Sequence, residues 1–259
     1  MIPLDPVLAD AIRERPDDDA PRLAAAKQMP TDRGELVTVQ CALARATGED
    51  ERSELGRRAR ELLHLHEEAW TGSWRHAAEE WRWARGFVEE IHLRSSLVFA
   101  ESLAAIGASE PGVRVLRLAL RQQTADWDAI ENVLASGSLS SVRALRVDEP
   151  IHPRIGSLHG QVQEADRVVR AISRARDWPL EDLELNAGTL GDGSIDQLLR
   201  SSVENTLTRL ALIGCGITAR SISHIAAAGS PWSEAPARSL RRSRAPRPPG
   251  GVPGMTRRP

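Results

Sequence analysis

Apolar positions along the chain follow two periods, and the change falls near residue 85. Before it the spacing is helical. Asp5 and Pro6 open a segment in which Leu8 and Ile12 share a face, and Pro16 ends it. Asp17-Asp18-Asp19-Ala20-Pro21 starts a second short helix carrying Leu23, which Pro30 ends. Leu36, Val39 and Leu43 predict a third helix over 34–46. Leu55, Ala59, Leu62 and His66 predict a fourth over 50–70, with arginines on its other side. Four tryptophans follow in close order: Trp70, Trp74, Trp81 and Trp83.

After residue 85 a short motif recurs: an apolar residue, two free positions, an apolar residue, one free position, an apolar residue. Its copies are Val88-Ile91-Leu93, Val113-Leu116-Leu118, Val142-Leu145-Val147, Leu180-Leu183-Leu185 and Leu207-Leu210-Leu212. Helix-like stretches separate them, at 99–106, 127–134, 162–172, 194–199 and 220–227. Successive copies begin 25, 29, 38 and 27 residues apart. A leucine-rich repeat runs about 20–29 residues, so only the 38-residue interval is too long. It contains Pro150, Pro153 and two glycines by residue 160, which read as a loop insertion. Each short strand turns its apolar positions to a shared core while a helix returns outside. No unit can bury its apolar face alone, so neighbours must stack. Cys215 follows the last copy where such repeats place Asn or Cys; Arg121, Pro150 and Gly188 stand at that site in earlier copies.

The expected fold is therefore α/β: a leucine-rich-repeat solenoid with parallel strands inside and helices outside, preceded by a small α-helical module. The expected divisions are a helical module over 1–84, a repeat array over 85–229 and a tail over 230–259. The tail has seven prolines, seven arginines and one acidic residue, Glu234. Such a segment buries too little apolar surface to order itself. Its charge would suit nucleic acid or an anionic surface, but segments of this composition are more often simply disordered.

Composition narrows the class. The chain has 259 residues, 27% charged and 41% hydrophobic, with a net charge of −2. That balance suits a globular protein and gives no overall attraction to nucleic acid. No apolar run approaches a membrane span, and Met1–Asp10 lacks the basic-then-apolar order of a signal peptide. Cys41 and Cys215 then read as reduced thiols of a cytoplasmic protein.

The N-terminal segment resembles the repeat-companion domain found ahead of leucine-rich repeats in planctomycete and myxobacterial proteins. The matching stretches are Asp17-Asp18-Asp19-Ala20-Pro21-Arg22-Leu23, Arg33-Gly34-Glu35-Leu36 with Val39-Gln40, and Gly86-Phe87-Val88-Glu89-Glu90. The repeats resemble the ribonuclease-inhibitor-like class. Ala24-Ala25-Ala26-Lys27-Gln28-Met29 departs from the Tyr-Ala-Asp-Trp-Leu type of segment usual in the family. The resemblance implies association with repeat arrays and implies no reaction.

Candidate chemistry is sparse. His64 and His66 on one helix point about 200° apart and cannot share an ion. His76 and His92 have no ligand spacing around them. Asp17-Asp18-Asp19 lacks the Gly and terminal Glu of a calcium loop and reads as helix capping. Gly188, Gly191 and Gly193 do not follow phosphate-loop spacing. No Ser or Cys sits in a nucleophile motif. Trp81 and Trp83 could stack on a ligand if extended, although wedging the helical module against the first repeat explains them better. No catalytic residue, metal, cofactor or small-molecule substrate is expected.

The concave face carries the functional expectation. The residue between the second and third apolar positions points away from the core: His92, Arg117, Arg146, Glu184 and Ala211. Same-side neighbours include Glu90, Arg94, Asp148, Asp182, Asn186 and Arg209. The expected function is a non-enzymatic scaffold that binds an unidentified protein partner through His92, Arg94, Arg117, Arg146, Asp182, Glu184 and Arg209. The alternative is a truncated or frame-shifted paralogue with no independent function.

Overall fold

A computed structural model describes residues 4–94, 99–120, 127–136, 139–149, 164–175, 178–187 and 190–227. The expected insertion at 150–160, the tail at 230–259, and Arg121 and Gly188 lie outside the described residues. Four helices come first: α1 (Pro6–Glu14), α2 (Asp19–Ala26), α3 (Thr31–Arg45) and α4 (Glu49–Thr71). Asp5 caps α1 by accepting from the Val7 N–H, and Asp18 caps α2 by accepting from the Ala20 N–H, each at 2.9 Å. Asp17 pairs instead with Arg114 at 2.8 Å.

A mixed six-stranded sheet follows, in the order of the chain: β1 (Ala78–Ala84), β2 (Phe87–Arg94), β3 (Val115–Ala119), β4 (Ala144–Glu149), β5 (Asp182–Ala187) and β6 (Arg209–Ile213). β2 to β6 are parallel, and each contains the last two apolar positions of one copy of the repeated motif. Between and after them run α5 (Phe99–Ser109), α6 (Trp127–Ala135), α7 (Glu164–Arg174), α8 (Asp192–Leu198) and α9 (Ala219–Ala227). Each of these helices touches the next, so they form a second layer against the sheet.

The sheet sides divide cleanly. Ile91, Leu116, Leu145 and Leu183 form one core rung and Leu93, Leu118, Val147 and Leu185 the next, all fully buried. The leading residues Val88, Val113, Val142, Leu180 and Leu207 close the same core. At the free edge, Leu210 and Leu212 of β6 are only half-buried. Residues at alternate positions face away from the helices and stay partly exposed. Register holds across the longest interval: Leu145 pairs with Leu183 as regularly as Leu116 does with Leu145.

One element departs from the sequence reading. The segment 1–84 is expected to be helical throughout, yet its last residues form β1, which pairs antiparallel with β2. Arg85 (φ 50°) and Gly86 (φ 82°) make the reversing turn, as two-residue hairpins of this hand require. A Cβ on Gly86 would lie 2.3 Å from Val37 Cγ2 and 2.5 Å from Val37 Cα. Only glycine fits this approach of the hairpin to α3. Both Trp81 and Trp83 donate their indole N–H to Glu67 Oε1 of α4, at 2.8 and 2.7 Å. Trp74 packs edge-on against Trp81 and Trp70 against Trp83. The tryptophans thus join the helical module to the sheet.

Candidate partner-binding face

The open side of the sheet is a grid whose rows are set by strand register. The first row runs Arg82, Glu90, Val115, Ala144, Asp182, Arg209. The second runs Glu80, His92, Arg117, Arg146, Glu184, Ala211. The third runs Arg94, Ala119, Asp148, Asn186, Ile213. The expected stripe from His92 to Ala211 is therefore one continuous row. Asp182 and Arg209 stand one row away, and Arg94 heads the other flank through its backbone register.

Charges on this grid pair sideways, between strands. Arg117 Nη2 lies 2.9 Å from Glu90 Oε1. Arg209 grips Asp182 with two prongs, Nε donating to Oδ1 at 2.8 Å and Nη2 to Oδ2. That grip holds Arg209 above its ordinary pKa. Asn186 Nδ2 donates to Asp148 Oδ1 at 3.1 Å. Arg146 and Glu184 stand farther apart, Nε to Oε2 at 4.0 Å, and His92 Nε2 is 3.9 Å from Glu79 Oε2. Five arginines and five carboxylates occupy the three rows, so the face is neutral in sum. A neutral face concentrates no polyanion, and what it can discriminate is a pattern of charges.

β1 adds Glu80 and Arg82 to this face, which sequence reasoning missed. With Glu90, His92 and Arg117 they line a cavity of about 210 Å³. Alternation of Trp81 and Trp83, followed by Arg85-Gly86 and a second apolar run, is a hairpin signature that would have found them.

Sequence reasoning also missed a buried charge cluster where the helical module meets the sheet. Glu110, at the end of α5, is fully enclosed. It accepts from the Val88 N–H at 3.0 Å and from Arg33 Nη2 at 3.3 and 3.4 Å. The Arg33 guanidinium carbon sits 4.3 Å from the Trp83 ring centre and within 6 Å of Trp70 and Phe87. Burial pushes the Glu110 carboxyl up and the Arg33 guanidinium down, each against the pull of the other. Arg22, wholly buried on Phe87, donates to the Pro16 carbonyl at 2.9 Å and faces Glu89 at 3.9 Å. Arg22, Arg33, Phe87, Val88 and Glu89 come from the three stretches that carry the repeat-companion resemblance, and those stretches meet around Glu110, which lies outside them.

Cys215 Sγ lies 3.5 Å from the Leu185 carbonyl of the neighbouring strand, beside Gly214 at φ 64° where the chain leaves β6. Burial raises the Cys41 thiol to about 12, which keeps it protonated and inert. Among the described residues no three His, Cys, Asp or Glu side chains could hold a metal ion, and no helix is long and apolar enough to cross a membrane. No protein-family model matches this chain. No curated protein matches it. No solved structure matches it.

Proposed function

We propose that this chain is a leucine-rich-repeat solenoid, led by a repeat-companion module, that binds a protein partner on the open face of its sheet. One observation carries the reading. Five parallel strands in unbroken register, each from one copy of the same spaced motif, bury one side, fully from β2 to β5, and leave His92, Arg117, Arg146 and Glu184 side by side on the other. A repeated strand surface of this kind offers many weak contacts in a fixed geometry, and its mixed charges set register with a partner rather than raw affinity.

Site-specific photo-crosslinking tests the reading. A benzophenone side chain at Val115, on the open face, should capture a partner of defined mass in source cells. The same group at Ala104, exposed on α5, should not. Equal capture at both positions, or none at Val115, refutes it.

A further inference from the structure

His92, Arg117 and Arg146 occupy one row on three adjacent strands. Like charges side by side on neighbouring strands repel, so the two arginines need anions beside them. The chain supplies two, and they are unequal. Glu90 reaches Arg117 at 2.9 Å, whereas Glu184 stops 4.0 Å from Arg146, outside hydrogen-bond range. Arg146 Nε has no hydrogen-bond partner among the described residues. Val115 and Ala144 in the row before and Ala119 in the row after are short, while Asp148, in the row after Arg146, accepts from Asn186 Nδ2 at 3.1 Å. The middle of the face thus holds two adjacent cations beside short side chains, with Asp148 at its edge.

From this we infer that Arg117 and Arg146 form a seat for a single carboxylate of the partner, carried on a segment with basic groups to either side. The inference rests on the open-face reading above. Charge complementarity selects the occupant. Over the arginines a carboxylate meets paired forks of donors, the geometry arginine is built to hold. On the flanks the partner meets Glu90 on one side and Glu184 with Asp148 on the other, which favour cations. The same acids oppose a dianionic phosphate and any polyanion, so a monovalent carboxylate is the anion this ring admits.

Arg Nε–H resonances of the full chain, followed by NMR, test it. Three blocked peptides serve as probes: acetyl-Lys-Gly-Glu-Gly-Lys-amide, its Gln counterpart, and acetyl-Lys-Gly-Lys-Gly-Gly with a free C-terminal carboxylate. Inorganic phosphate is the fourth probe. The Glu peptide should shift the Arg117 and Arg146 signals saturably and bind at least about ten-fold more tightly than the Gln peptide, as expected for a charge-assisted hydrogen bond. Arg146→Gln should weaken it by about ten-fold, and Arg117→Gln similarly. Arg220→Gln, exposed on α9 in the helical layer on the other side of the sheet, should leave it unchanged. Preference for the third peptide over the first assigns the seat to a chain terminus instead of an acidic side chain. Equal binding of the Glu and Gln peptides, no effect of Arg146→Gln, or phosphate binding as well as the carboxylates overturns the inference. If Val115 still captures a partner in that case, the open-face reading stands and only the carboxylate seat falls.

Discussion

Removing the Glu110 carboxylate is the sharpest test of how the helical module is held to the sheet. Glu110→Ala leaves the Arg33 guanidinium, 7% exposed, without its counter-ion. It also takes away the acceptor of the Val88 N–H at the start of β2. Breaking a buried ion pair from one side costs about 3–5 kcal/mol, because a desolvated charge is left behind. An orphaned buried N–H costs about 1–3 kcal/mol on its own. The two overlap, and the aromatic faces of Trp83 and Trp70 retain part of the stabilisation of Arg33. A net loss of about 3–5 kcal/mol is expected, read from urea midpoints at constant slope. Glu110→Gln should be milder, since its amide oxygen still accepts from Val88 and its neutral form avoids the cost that raises the Glu110 pKa. The double variant Arg33→Met with Glu110→Gln should lose less than the sum of its single changes, because neither partner is then a lone charge. Two results would refute the reasoning. One is a loss below about 1 kcal/mol for Glu110→Ala, the range of an ordinary surface change. The other is strict additivity in the double variant.

Gly86→Ala should destabilise by at least about 2 kcal/mol or abolish soluble expression, since it combines a positive φ with a Cβ inside contact distance of the Val37 backbone; a wild-type melting temperature would contradict the turn described. Glu67→Ala strands the indole N–H groups of Trp81 and Trp83, and should red-shift tryptophan emission while lowering stability by about 1–3 kcal/mol. Asp192 accepts from Thr218 and Ser221 at the start of α9, bonds that lower its carboxyl to about 2. A depressed carboxylate stabilises above its ordinary pKa of 3.8 and loses that contribution as pH falls through about 2. Acid titration followed on α9 amide signals should therefore show a transition in that window, and Asp192→Asn should remove it.

Much of the sheet was legible in the chain. The apolar spacing of each motif copy sets strand position and parity locally, because successive side chains of a strand point to opposite sides. Parity alone placed His92, Arg117, Arg146 and Glu184 on the uncovered side. It could not say that Arg117 would pair with Glu90, or that Arg146 would stand short of Glu184. Those outcomes depend on register between strands whose residues are about 27 to 38 apart in sequence. The hairpin strand β1 escaped because its tryptophans extend an apparently helical region, and its partner lies across a turn that only Arg85 and Gly86 mark. The Arg33–Glu110 pair joins residues 77 apart. In sequence each is one charged residue among many, and burial comes only when α3, α5 and the hairpin close around them. Local periodicity determined which residues face the core, and long-range packing decided which charges meet, because charge pairing depends on distance in space and leaves no period along the chain.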